Sequence, residues 1–85
     1  MEAFTEFFEQ DGALLFRVEC YVGNAMHYAE YKTDSVAVKA LVGEDAIKTL
    51  TKRFSADNTF LDYLKENGIG YTLLTKGYAD TSSDV

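Results

Sequence analysis

The sequence predicts an α+β fold: an antiparallel β-meander of three to four strands, followed by two helices and a short C-terminal strand. Three observations predict it. From Ala13 to Val22, the residues Leu14, Phe16, Val18, Cys20 and Val22 fall at every second position, with Leu15, Arg17, Glu19 and Tyr21 between them. Strict alternation of this kind marks a half-buried strand, because successive side chains point to opposite faces. Asp11-Gly12 before this stretch and Gly23-Asn24 after it are residue pairs that accept the positive φ of tight hairpin turns, of types I′ and II′ respectively. From Glu44 to Phe54 the pattern changes to a helical stripe of Ile47, Leu50 and Phe54, with Ala46 beside it. Acids open this segment and Lys48, Lys52 and Arg53 close it, as the helix dipole favours.

The first element, Met1 to Gln10, reads in two ways. Ala3, Phe4, Phe7 and Phe8 are spaced as on one helix face, whereas the aromatic content and the following Asp-Gly turn favour a strand, which is the reading adopted. If both turns are two-residue turns, Glu6 lies opposite Arg17 and Arg17 opposite Glu30, a ladder of opposite charges across three strands. The third strand, Ala25 to Lys32, then places Ala25, His27, Ala29 and Tyr31 on the face of Phe16, Val18, Cys20 and Val22. Met26, Tyr28, Glu30 and Lys32 take the other face, and Thr33-Asp34 can turn the chain.

Val36 to Val42 is also double-valued. Its alternation and β-branched content suit a fourth strand, the reading adopted. Alternatively, Ser35 caps one long helix reaching Phe54, with Val36, Ala40, Gly43, Ile47, Leu50 and Phe54 as its buried stripe. The second helix should start at Asp57 or Asn58 and bury Phe60, Leu61 and Leu64. Gly68 should end it as a left-handed residue, with Ile69 packing back. Tyr71 to Thr75 reads as a short strand. Residues 1–76 are thus expected to form one domain and 77–85 a polar flexible tail.

The 85 residues suffice for one core, and 47% hydrophobic content argues against disorder. A single cysteine, Cys20, excludes an intrachain disulfide and suits a reducing, cytoplasmic setting. Glu2 and Glu6 stand where a secretory signal would carry lysine or arginine, and no apolar run has the length of a membrane helix. The net charge of −6 is uneven: residues 1–34 hold seven acids against Arg17 and Lys32. That balance disfavours direct nucleic-acid binding, which needs phosphate neutralisation, and suits a basic protein partner.

Cys20 and His27 are the candidates for nucleophilic chemistry, facing each other across two strands in the assumed register. Their neighbours Val18, Val22, Ala25 and Ala29 suggest a core in which a thiol stays neutral, so no catalytic residue is assigned. Two such residues also fall short of a zinc site, and no metal or cofactor is expected. Glu44-Asp45 reads as a helix start, and Gly68-Ile69-Gly70 is too short for a phosphate loop. The aromatics carry more information. With the Phe16 face as core, the opposite face holds Phe4, Phe8, Leu15, Tyr21, Met26 and Tyr28, which requires either a second cover or a binding role. Candidate partner-binding residues are therefore Tyr21, Met26 and Tyr28, together with Glu2, Glu9, Glu19 and Asp34, acids without a place in the Glu6–Arg17–Glu30 ladder.

The run Phe16-Arg-Val-Glu-Cys-Tyr-Val-Gly23, followed by a strand and by Ser35 opening a possible helix, resembles the central meander and last helix of double-stranded-RNA-binding domains. The resemblance covers about half the chain and implies a shared topology. That family presents lysines at the start of this helix, where this chain has Ser35-Val36-Ala37-Val38-Lys39 with one lysine. The acidic sheet and the extra C-terminal helix and strand also depart from the family, so RNA binding is not carried over.

The expected function is that of a small acidic non-catalytic protein-binding domain, an inhibitor or adaptor. A finer version is a phage-encoded antagonist of a host defence or nucleic-acid-handling protein, a nucleic-acid mimic whose acids engage a basic surface. The alternatives are a double-stranded-RNA-binding-like module or a small enzyme using Cys20 and His27. Homodimerisation through the second aromatic face is a separate expectation.

Overall fold

The computed structural model describes residues 2–54 and 59–80. Asp57 and Asn58, the expected cap of the second helix, lie outside the described residues, as do residues 81–85. Strands β1 (Glu2–Gln10), β2 (Ala13–Val22) and β3 (Ala25–Asp34) form an antiparallel meander. Helices α1 (Ser35–Val42), α2 (Ala46–Phe54) and α3 (Phe60–Glu66) follow, and β4 (Tyr71–Asp80) returns antiparallel beside β3, giving the sheet order β1-β2-β3-β4. The fold is α+β. None of the described helices is long and apolar enough to cross a membrane.

Local chemistry explains the meander. Asp11 (φ 52°) and Gly12 (φ 80°) both take the positive φ of a type I′ turn, and Gly23 (φ 60°) opens the second hairpin. The resulting register sets Glu6 opposite Arg17 and Arg17 opposite Glu30. Met1–Gln10 is therefore strand from Glu2 onward.

Two sequence expectations need correction. Val36–Val42 is helix, not a fourth strand, and it does not run on to Phe54. Asp34 caps it, its Oδ1 accepting from the N–H groups of Val36 (2.9 Å) and Ala37 (3.4 Å). That satisfies two of the donors a helix start leaves orphaned, and it outweighs the β-branched preference. Val38 is fully buried while Val36 is 74% exposed, so the stripe expected for the long helix is not the one used. Gly43, at φ 99°, ends α1, its N–H donating to the Lys39 carbonyl at 2.8 Å. The place beside β3 belongs to β4.

The second correction concerns β4, which runs past Thr75 to Asp80, so Gly77–Asp80 belong to the sheet and not to a tail. The register with β3 shifts between Glu30 and Tyr31: Glu30 faces Thr75, Tyr31 faces Leu73, and Leu74 is the extra residue of a β-bulge. The bulge reverses the alternation, which conceals the strand's continuation from a period-2 reading.

Helices cover one face of the sheet. Phe60 is the hub, with ring centroids 4.8 Å from Phe16, 5.0 Å from Phe7 and 5.3 Å from Phe54. Leu14, Val38, Leu50 and Leu64 complete the buried cluster. Each such side chain contributes about 1.5–3 kcal/mol through burial. α3 ends in a Schellman motif: Gly68 (φ 69°) donates to the Lys65 carbonyl at 3.2 Å, Ile69 donates to the Leu64 carbonyl at 2.9 Å, and Ile69 packs on the core. The described residues span 47 Å along their longest axis, and the helices cover only one end of the long strands. At the other end, Val22 and Tyr78 are 52% and 59% exposed.

Candidate functional site: the open face of the sheet

The face turned away from the helices is built by the alternate residues of the same strands. Register places them in rows. Phe4, Glu19, Tyr28 and Gly77 form one; Glu6, Arg17, Glu30 and Thr75 the next; Phe8, Leu15, Lys32 and Thr72 a third. Tyr21 and Met26 face each other toward the far end. Among the described residues, no helix covers these rows. Phe4 and Phe8 are 42% and 41% exposed, and Leu15, Tyr21, Met26 and Tyr28 are half-buried among their neighbours.

Arg17 organises the centre. Its Nε donates to Glu19 Oε1 at 3.0 Å, its Nη1 lies 3.5 Å from Glu30 Oε2, and its guanidinium sits 4.3 Å above the Tyr28 ring. The Tyr21 hydroxyl donates to the other Glu19 oxygen at 2.9 Å. Because that carboxylate accepts from the neutral phenol, Tyr21 holds its proton more tightly than an ordinary tyrosine. Phe4 meets Tyr21 edge-on at 6.0 Å. Tyr28 lies over Gly77: a Cβ there would collide with the tyrosine oxygen and ring, so glycine is what lets the ring lie flat. An open groove of about 620 Å³ runs along the β1 edge beside this face, with Phe4, Glu6, Glu19, Tyr21 and Thr51 among its lining residues.

The acids proposed from the sequence separate. Glu9 lies on the helix side, where it accepts from the Ser35 hydroxyl and pairs with Lys39 at 2.9 Å. The Ser35 hydrogen bond first, and Lys39 second, hold its carboxyl below the ordinary value. Asp34 is the α1 cap. Glu19 belongs to the Arg17 network. These three therefore have intrachain partners outside the expected Glu6–Arg17–Glu30 ladder. Glu2 faces Tyr21 in register at the end of β1. Glu6 stands opposite Arg17, but the ion pairs of Arg17 among the described residues go to Glu19 and Glu30. Lys39, the one lysine where the RNA-binding resemblance would want several, is engaged by Glu9.

Cys20 and His27 face each other as expected. Cys20 is half-buried and packs against the edge of the core, whereas His27 is exposed, contrary to the core expectation, with its ring 5.0 Å from that of Tyr78. Among the described residues, no hydrogen bond joins thiol to imidazole, and no group of three or more His, Cys, Asp or Glu is placed to hold a metal.

Sequence reasoning missed Gly77 and the Tyr28–Arg17 stack. Gly77 follows a bulge that has no local signature, and the stack depends on which strand lies beside β3. Compared with family models, with curated proteins and with solved structures, the chain matches none.

Proposed function

We propose that the chain is a non-catalytic protein-binding domain of the inhibitor or adaptor kind, which engages its partner through the open face of the sheet. The observation that carries this reading is the set of large side chains, Phe4, Phe8, Leu15, Tyr21, Met26 and Tyr28, on a face that none of the described helices covers. Aromatic anchors around a stacked arginine are the composition that concentrates binding energy at interfaces. The acids play a smaller part than their number suggests. Glu9 and Asp34 hold α1, while Glu19 and Glu30 hold Arg17, so of the seven acids in residues 1–34 only Glu2, Glu6 and Asp11 remain to stand in for phosphates. That favours an aromatic-centred interface over a nucleic-acid mimic, with Glu6 left to steer a basic partner. The single free cysteine fits a reducing, cytoplasmic setting.

The test is capture from the native host with the immobilised chain, comparing wild type, a Phe4→Ser/Phe8→Ser variant, and a Glu44→Lys/Asp45→Lys control away from the sheet. A specific protein should be retained by wild type and control and lost by the face variant. Recovery of nucleic acid, or a bound protein indifferent to the face variant, counts against the reading.

A further inference from the structure

We propose that the open face takes a second copy of this chain, in a symmetric dimer whose two-fold axis runs parallel to the strands, between β2 and β3. This rests on the reading of that face as a protein-binding surface and names its partner.

The first argument is size. The β1 side of the face carries Phe4, Glu6 and Phe8, whereas the β4 side carries Thr72, Thr75, Gly77 and Ala79. A two-fold axis parallel to the strands keeps each row at its own level and reverses its order. The bulky β1 side of one copy then lies over the low β4 side of the other. Phe4 comes over the level platform where the second copy's Tyr28 lies flat on Gly77.

Charge is the second argument, and it selects the axis. In the row Glu6, Arg17, Glu30, Thr75, the reversal sets Arg17 over the second copy's Glu30, and Glu30 over the second copy's Arg17. This row lies near the middle of β2 and β3, so the pairs fall close to the axis. The other in-plane two-fold, perpendicular to the strands through the same row, lays each strand on itself. It sets Arg17 on Arg17, Glu6 on Glu6 and Glu30 on Glu30, a like-charge arrangement that opposes association. Arg17 uses two of its five N–H donors within its own chain, which leaves donors for a second carboxylate.

Area is the third. Four strands about 4.8 Å apart and about 30 Å long make a face of roughly 600 Å² in plan. Accessible area exceeds plan area, which brings each copy near the ~800 Å² per partner of a stable interface.

The experiment is sedimentation velocity on the full chain, alone and in mixtures. Wild type should be dimeric at micromolar concentration. Arg17→Glu alone and Glu30→Arg alone should each be monomeric, because each sets like charges across the axis. Mixed in equal amounts, they should form a heterodimer, in which both interchain pairs are again opposite in sign. Each variant loses its own intrachain pair whether separate or mixed, so recovery on mixing reads the interface. Should either charge variant fail to fold, as judged by its circular dichroism melt, Phe8→Thr serves instead and should weaken dimerisation by about tenfold or more. A wild-type chain still monomeric at ~100 μM overturns the proposal. So does a dimer indifferent to every one of these substitutions. A monomer that captures a host protein through Phe4 and Phe8 removes the second copy and leaves the open-face reading standing. Capture indifferent to those residues removes both.

Discussion

The two faces of the sheet are made from the same four strands, residue by residue in alternation, yet they behave as different materials. On the covered face, Phe7, Phe16 and Tyr31 lie in one continuous row, and Phe60 drops onto it with its ring at 90° to Phe16. On the open face, side chains of the same size lie beside one another and organise around a guanidinium. What differs is whether a third layer presses on the row. Interdigitation makes a side chain expensive to truncate, whereas lateral contact leaves it replaceable. The chain therefore concentrates its stability on one face and leaves the other available for association.

The sharpest break of this comparison is Phe60→Ala, which empties the site where four aromatic rings meet. It should cost about 3–5 kcal/mol in urea unfolding, enough to unfold a domain of this size under mild conditions. Gly77→Ala should come next, at about 1–3 kcal/mol, because its Cβ collides with the Tyr28 ring. In a Tyr28→Ala background the same substitution should be close to neutral, and a double-mutant cycle reads the difference. Asp34→Ala should remove the α1 cap and cost about 1 kcal/mol in thermal denaturation.

Glu9 gives a pH signature on the covered side. Its folded pKa lies below the ordinary 4.5. Its contribution is thus present above the unfolded pKa and is lost as pH falls through the lower folded value. Acid unfolding of wild type should show this loss below about pH 4.5, and Glu9→Gln should flatten that part of the profile. The smallest effect should come from the open face. Phe8→Thr should change stability by only about 0.5 kcal/mol while altering association, and a loss comparable to that of Phe60→Ala would erase the distinction between the faces.

The parts legible in the sequence are those fixed by neighbours in the chain. Alternation in Ala13–Val22, the two glycine turns and the Gly68 helix end are short-range events, and each specifies its geometry locally. Val36–Val42 is ambiguous in sequence because a run of Val and Ala satisfies both periods, and the deciding cap, Asp34, suits a turn equally well. The partners of the acids are hidden from the sequence for a different reason. Glu9 meets Ser35 across a separation of 26 residues, a distance no pattern in either segment encodes. Of the candidate site, the membership of the open face followed from strand parity alone. Its centre did not, since Tyr28 needs β4 as its neighbour, and β4 is out of phase with itself at Leu74.

That bulge also makes the sheet's two borders unequal. β1 presents nine residues in unbroken register with its neighbour, an uninterrupted template of outward backbone groups. β4 presents a template interrupted at Leu74, against which an incoming straight strand falls out of step. Of the two borders, β1 is therefore the better template for an added strand and β4 the poorer one. Glu6, exposed on β1, places a like charge beside the path of any identical chain approaching that border.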